Sequence, residues 1–120
     1  NLFCSGNQLS SLDVSANTEL IQLNVAYNIL QTLDLSENPR LSSMHCNNNQ
    51  LVWLSLKNGS NERMPGLPDH PHDTFFGIRF DNNPSLTCAA VDDAIKANEG
   101  AAPYMRWEKD DRAVYSEGCD

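Results

Sequence analysis

The sequence predicts an α/β-type solenoid of short parallel β-strands and turns, closed at its C-terminal end by a segment with one short helix. Three observations predict this fold: an asparagine recurs every 10 or 11 residues, aliphatic residues two apart precede each asparagine, and a different pattern follows near the C-terminus. The 120 residues fit a single domain. Within it we expect repeats over residues 1–60, an irregular insertion loop over 61–77, and a last coil with a cap over 78–120.

The asparagine spacing marks an internal repeat, the feature that decides the fold before any other. Each asparagine lies in the frame L-x-x-L-x-(L/V/C)-x-x-N-x-L, and two similar halves make a unit of about 21 residues. The recurring asparagines are Asn7, Asn17, Asn28, Asn38, Asn49 and, after an interruption, Asn83.

The aliphatic residues predict short extended segments. Leu23 with Val25, and Leu33 with Leu35, point to one side of such a segment because side chains alternate along a strand. The Asn, Asp, Ser and Pro residues between these pairs are typical of turns. Coils of two extended segments and two turns, stacked about 4.8 Å apart, bury the aliphatic side chains in one continuous core.

The recurring asparagines are predicted to be structural. At each corner of a coil the backbone bends and leaves N–H and C=O groups inside, where an unpaired polar group costs about 1–3 kcal/mol. An asparagine amide offers both donors and an acceptor, so stacked amides can satisfy successive corners.

This frame resembles the leucine-rich repeat, in the nested 21-residue form common in secreted and surface proteins of Bacteroidetes-type bacteria. Residues 2–60 fit the pattern closely, residues 61–77 depart from it, and residues 78–119 look like the family's C-terminal closure. The resemblance implies a curved solenoid of parallel strands that binds a protein, or sometimes a glycan, through its concave sheet. It implies no catalytic activity, and no cofactor is expected.

The four cysteines are expected in two different states: two as free thiols and two as a disulfide. Cys4 and Cys46 occupy the same inward position two repeats apart, so their Cα atoms are expected about 9.6 Å apart, too far for the roughly 7 Å limit of a disulfide. We interpret both as buried thiols. Cys88 and Cys119 flank the closing segment and can pair, which favours a secreted or cell-surface protein. Four reduced thiols in a cytosolic protein is the alternative.

The closing segment is expected to cover the last coil. The stretch AAVDDAIKAN predicts a short helix with Val91, Ala94 and Ile95 on one face. Four further apolar residues are expected to pack there: Tyr104, Trp107, Val114 and Tyr115. Four acidic residues are expected to be solvated: Asp92, Asp93, Asp110 and Asp111.

The N-terminal end of the stack has no comparable cover. Leu2, Cys4, Leu9 and Leu12 would face solvent there. We therefore expect either that further repeats precede Asn1 or that two copies of the chain associate through this end.

The outward positions of the first sheet are the predicted ligand-binding surface. Strand alternation and the turns that follow place five candidate side chains there: Phe3, Asn24, Tyr27, His45 and Asn47. Aromatic rings flanked by amides suit a polar partner or a sugar ring, although the same residues could simply be permitted surface residues. Secondary candidates are Trp53, Arg63 and Met64, with packing beneath the insertion loop as the alternative for Trp53.

Composition excludes some partners. A net charge of −8 argues against nucleic acid and anionic membranes, whose phosphates attract clustered Lys and Arg. No apolar run approaches the roughly 20 residues of a transmembrane helix. The insertion loop contains weak metal-ligand candidates, with an exposed loop as the default interpretation: Asp69, His70, His72 and Asp73. No nucleophile and base can be assembled from the sequence, so an enzyme is not expected.

Two functions remain open from the sequence. The first is a non-catalytic binding module of an exported or cell-surface protein, with a protein or polysaccharide ligand. The second is a purely structural capped end or spacer of a larger surface protein or secreted enzyme.

Overall fold

The computed structural model describes residues 1–64, 77–101, 104 and 107–119, with the side chain of Arg63 excepted. Eight short strands and one helix lie in these ranges, together with a 3₁₀ turn over Asn61–Arg63. The strands and the helix are β1 (Leu2–Phe3), β2 (Gln22–Asn24), β3 (Thr32–Asp34), β4 (Ser43–His45), β5 (Trp53–Ser55), β6 (Ile78–Arg79), β7 (Cys88–Ala90), α1 (Ala94–Asn98) and β8 (Val114–Ser116).

The strands form two four-stranded parallel sheets, in the orders β1-β2-β4-β6 and β3-β5-β7-β8. From β2 to β7 successive strands alternate between the two sheets. The register follows the sequence period, since Leu23 pairs with Met44 and Leu33 pairs with Leu54. Parallel strands, two sheets and one short helix confirm that much of the predicted α/β fold.

The inward positions of both sheets supply one hydrophobic cluster. Leu23, Val25, Leu33 and Leu35 are all buried, as the alternation of side chains predicts. Each buried aliphatic side chain of this size stabilises the fold by roughly 1.5–3 kcal/mol relative to an exposed one. At the β1 edge the packing is looser, and Leu2 is only partly buried.

Buried asparagine amides connect successive turns beside the first sheet. The Nδ2 of Asn49 donates to the carbonyls of Val25 and Cys46 at 3.0 Å each, one in the preceding turn and one in its own. Its Oδ1 accepts a hydrogen bond from the Leu30 N–H at 3.0 Å. Two further asparagines in equivalent positions make the same kinds of bond: Asn28 and Asn83.

Beside the second sheet, the asparagine amides also connect successive turns. Asn38 Nδ2 donates to the carbonyls of Val14 and Asn17, at 3.0 and 2.9 Å. Asn58 Nδ2 donates in turn to the Asn38 carbonyl at 2.9 Å. The exposed Asn7, at the start of the first series, bonds only to carbonyls of its own turn.

The C-terminal segment packs aromatic side chains into the hydrophobic cluster. Tyr104, Trp107 and Tyr115 are buried, with ring centroids of Tyr104 and Trp107 4.6 Å apart, which confirms the packing predicted for them. The prediction was wrong for Ile95 and Val114, which are 70% and 55% exposed. The helix is a single turn that turns Ala97 to the core and Ile95 away from it, and Val114 alternates with the inward Tyr115.

The same segment covers the strand edges at this end of both sheets. The Asn98 amide accepts from the Tyr115 N–H at 3.0 Å and donates to the Tyr115 carbonyl at 2.9 Å, beside β8. The backbone of Glu108 bonds to Ile78 and Phe80 along β6. Unpaired backbone groups at a strand edge can pair with another chain. Both contacts satisfy backbone groups that would otherwise be available for such pairing.

Asp92 and Asp110, which were expected at the solvated surface, are half-exposed and also hold turns in place. Asp92 accepts hydrogen bonds from the N–H groups of Gly59 and Asn61, at 3.0 and 2.9 Å. Asp110 accepts from the N–H groups of residues 82 and 83, both at 2.9 Å. Each carboxylate therefore ties the C-terminal segment to a turn of the preceding coils.

The cysteines divide as predicted. Cys88 and Cys119 form a disulfide with their Cα atoms 5.9 Å apart. Cys4 and Cys46 are free thiols, the first half-buried and the second buried. The indole Nε1 of Trp53 donates to the Cys119 carbonyl at 2.9 Å, next to the disulfide. Within the described residues, no helix has the length and apolar character to cross a membrane.

Candidate functional site

The outward-pointing side chains of the first sheet form the surface that we call the outer face. Parallel register places one side chain from each strand in a row: Phe3, Asn24, His45 and Arg79. The residues two positions later form a second row: Ser5, Ala26, Asn47 and Asp81. The turns that end the strands border this face.

The sequence-predicted candidates differ in how much of each residue is exposed to solvent. Phe3 and Tyr27 are each 60% exposed, and Asn24 is half-buried. His45 and Asn47 are 6% and 3% exposed, so the expectation that both face solvent was wrong. β4 lies between β2 and β6 and is buried along its whole length, so an outward position on this strand is not a solvent-facing one.

A left-handed residue precedes each asparagine of the first series. The four residues with positive φ at this position are Gly6, Tyr27, Asn48 and Asn82. Glycine adopts this conformation without cost, and asparagine does so more readily than other residues with a side chain. Tyr27 adopts the same conformation, with φ of 57°, although it is neither glycine nor asparagine. A left-handed tyrosine costs on the order of 1–3 kcal/mol.

The backbone around Tyr27 is fixed on both sides. Its N–H donates to the Asn47 carbonyl at 3.1 Å. The adjacent Ala26 N–H donates to the Asn24 Oδ1 at 3.1 Å, which orients the Asn24 amide. The Nδ2 of Asn24 forms no hydrogen bond to any other residue in the described ranges. The exposed ring and this amide donor are therefore held on one rigid turn.

Charge separates the two ends of the outer face. Residues 1–12 and 20–33 contain no Asp, Glu, Lys or Arg. The surface formed by β1, β2 and the turns that follow them is what we call the neutral half. At the β6 end, Arg79 pairs with Glu108, Nε to Oε2, at 2.9 Å, and with Asp81, Nη2 to Oδ2, at 3.4 Å.

Two exposed isoleucines beside the neutral half were missed from the sequence. Ile29 is 41% exposed and follows Tyr27 by two residues, and Ile21 is 43% exposed just before β2. The signal for Ile29 is positional, because Gln8 and Gln50 stand at the same place one repeat before and after it.

The secondary candidates lie away from this surface. Met64 is fully buried, so its assignment as a contact residue was wrong. It follows the 3₁₀ turn and enters the core, where its carbonyl accepts a hydrogen bond from the Trp107 indole at 2.9 Å. Trp53 is half-buried on the second sheet beside the disulfide.

The remaining candidates lie outside the described residues. They are the side chain of Arg63 and the four weak metal-ligand candidates Asp69, His70, His72 and Asp73. Elsewhere, in the part of the chain that the structure describes, no group of three or more His, Cys, Asp or Glu side chains could hold a metal ion.

Burial raises the pKa of three groups among the described residues. Burial raises the pKa of the Cys46 thiol far above its usual range, with the charge of Asp81 adding to the effect. Burial likewise raises the pKa of Tyr115, and desolvation raises that of Tyr104. A thiol kept protonated in an apolar core is a poor nucleophile, so Cys46 serves as a small hydrophobic residue.

Comparison of the chain with protein-family models, with curated proteins and with solved structures found no match. Any functional conclusion therefore depends on the residues of the chain itself. Among these, the neutral half of the outer face combines exposed aromatic rings, an oriented amide and a rigid backbone.

Proposed function

We propose that the chain is a non-catalytic binding module of an exported or cell-surface protein. It is built as a leucine-rich-repeat solenoid and recognises a protein or a polysaccharide through the outer face of its first sheet. The observation that carries this proposal is the pair of rings, Phe3 and Tyr27, each 60% exposed on the neutral half.

The solenoid part of the proposal is supported by register and hydrogen bonding. Equivalent residues 21 positions apart pair in both sheets, as Leu23 does with Met44 and Leu33 with Leu54. From β2 to β7 successive strands alternate between the sheets, and amides such as Asn49 join a turn to the one before. These are the contacts expected when each repeat packs only on its neighbours.

Export is supported by the disulfide between Cys88 and Cys119, because such bonds persist mainly in oxidising compartments. The two remaining thiols are consistent with this environment, since Cys46 is buried and Cys4 is half-buried. Neither is an exposed thiol ready to form unwanted cross-links.

The energy available at the neutral half is sufficient for specific binding. Burying the exposed part of one aromatic side chain contributes about 2–4 kcal/mol. Two such rings, held by a rigid backbone, resemble the few aromatic residues that carry most of the affinity in protein interfaces. A rigid turn also lowers the entropy lost on association.

The test is a double variant, Phe3→Ala with Tyr27→Gly, compared with Val114→Ala. Val114 is 55% exposed on the second sheet and serves as the matched control. Binding is measured on a glycan array and by capture of extracellular proteins. Loss of binding in the double variant, with binding retained by Val114→Ala, is the expected result. Unchanged binding by the double variant contradicts the proposal.

A structural role as a capped end or spacer is the second candidate. The observation that favours it is that the Asn98 amide bonds to the outer edge of β8 and the Glu108 backbone to the outer edge of β6. Absence of any ligand for the unmodified chain in both assays would support this role over binding.

A further inference from the structure

Building on the proposed binding role, we propose that the neutral half takes an uncharged, extended polysaccharide. The rings of Phe3 and Tyr27 stack on two separate sugar units, and the Nδ2 of Asn24 donates a hydrogen bond to a hydroxyl. Three observations carry this inference: the separation of the rings, the distribution of charge, and the backbone conformation of Tyr27.

The separation of the two rings requires an extended ligand. Phe3 is in register with Asn24 on the neighbouring strand, and Tyr27 follows Asn24 by three residues. With neighbouring strands about 4.8 Å apart and about 3.3 Å per residue along a strand, the Cα atoms of Phe3 and Tyr27 lie roughly 11 Å apart. Separate units of an extended sugar chain can contact two side chains placed at this distance.

An extended peptide fits this surface less well. Peptides that bind to sheets usually add a strand at a free edge, where backbone hydrogen bonds supply the affinity. Both edges of β2 are already paired, with β1 and with β4, and β1, whose outer edge pairs with no described strand, is only two residues long. The neutral half therefore offers mainly side chains, which are rings and amides, and little backbone for an added strand.

The charge distribution selects an uncharged ligand. The chain has a net charge of −8, which repels polyanions. The neutral half lies within residues 1–12 and 20–33, which contain no carboxylate to attract a cation and no Lys or Arg to pair with an anion. Hydroxyl groups and C–H faces of a neutral sugar need neither.

The backbone conformation of Tyr27 indicates that its ring is retained for contact. The equivalent positions in the other turns are Gly6, Asn48 and Asn82, residues that tolerate a positive φ. Tyrosine tolerates it poorly, and its ring gains no burial in exchange, being 60% exposed. Strained residues of this kind cluster at ligand sites, where the strain holds a group in position.

The experiment is affinity electrophoresis of the intact chain in native gels that contain one soluble polysaccharide each. The neutral probes are a β-1,3-glucan, a mannan and a galactomannan, and polygalacturonate is the charged counterpart. We expect retardation by at least one neutral probe and none by polygalacturonate. Phe3→Ala and Tyr27→Asn should each weaken the dissociation constant by about tenfold or more, and Val114→Ala should not change it.

Urea denaturation of the same variants separates contact from folding. Tyr27→Asn places at this position the residue found at positions 48 and 82, so its urea midpoint should equal or exceed that of the unmodified chain. If Tyr27→Asn binds more weakly but is at least as stable as the unmodified chain, the Tyr27 ring contacts the ligand and does not merely support the fold. Undiminished binding by Tyr27→Asn overturns the inference.

Other outcomes also overturn the polysaccharide inference, and they show whether the broader proposal of a binding module fails with it. If no neutral probe retards the chain, or if polygalacturonate retards it equally, the ligand is not an uncharged polysaccharide. If a protein ligand is then captured and lost in the double variant of Phe3 and Tyr27, the binding module remains and only its ligand class is wrong. If the chain binds neither a neutral polysaccharide nor a protein, both proposals fail.

Discussion

Replacement of Asn49 with alanine tests whether buried amides hold successive turns together. Asn49 is 5% exposed and makes hydrogen bonds of 3.0 Å to the Leu30 N–H and to the carbonyls of Val25 and Cys46. Alanine at this position removes these three bonds and a longer one, of 3.4 Å, from Nδ2 to the Asn47 carbonyl.

The size of the loss in stability depends on which hydrogen bonds the partner groups of Asn49 keep after the substitution. The carbonyls of Val25 and Cys46 keep a second donor, because the amides of Asn28 and Asn83 also bond to them. The Leu30 N–H has no other acceptor among the described residues. An orphaned buried N–H costs about 1–3 kcal/mol and each shared bond about 1 kcal/mol, so Asn49→Ala should lower the free energy of unfolding by about 3–5 kcal/mol.

The assay is urea denaturation at 25 °C, with Asn7→Ala as the matched control. Asn7 occupies the equivalent position two repeats earlier but is exposed, and its amide bonds only to the carbonyls of Cys4 and Ser5. Its loss should cost less than about 1 kcal/mol. Equal, small effects of the two substitutions would refute the role assigned to the buried amides.

Three further predictions concern the disulfide, the buried thiol and the capping carboxylates. Reduction of the Cys88–Cys119 bond, which spans 31 residues, should lower the free energy of unfolding by about 3–4 kcal/mol in urea; no change would contradict a stabilising role. Because burial raises the pKa of the Cys46 thiol, the folded chain keeps this proton while the unfolded chain loses it above about pH 8.5, so stability should fall as pH rises beyond that value. Cys46→Val should make this fall shallower by up to about 1 kcal/mol per pH unit, and an unchanged slope would contradict it. Asp92→Ala should cost about 1–3 kcal/mol because two turn N–H groups lose their acceptor, whereas Asp111→Ala, at an exposed position, should cost little; equal effects would contradict the assignment.

Periodicity made the core and the two sheets predictable from the sequence. A pair such as Leu33 and Leu35 can face only one side of a strand, and burying that side fixes the register of the whole stack. The disulfide was predictable in part, because lattice spacing separates Cys4 from Cys46 and because Cys88 and Cys119 flank the closing segment.

Contacts between segments distant in sequence were not predictable. Whether Asp92 is solvated depends on turn N–H groups 31 or more residues away, which no local pattern reveals. The burial of His45 likewise depends on its surroundings in the fold, although its outward position on the strand was evident from alternation. Tyr27 was identifiable as a candidate, but its positive φ was not, since aromatic residues rarely adopt that conformation.

A ¹⁵N NMR titration of the intact chain with the polysaccharide that retards it most strongly would locate the binding surface directly. The binding account predicts that the largest shift changes fall on the backbone amides of Phe3, Asn24 and Tyr27, with no change over Cys88–Ala90 or Val114–Ser116 of the second sheet. Changes concentrated on the second sheet, or no changes at saturating ligand, would contradict it.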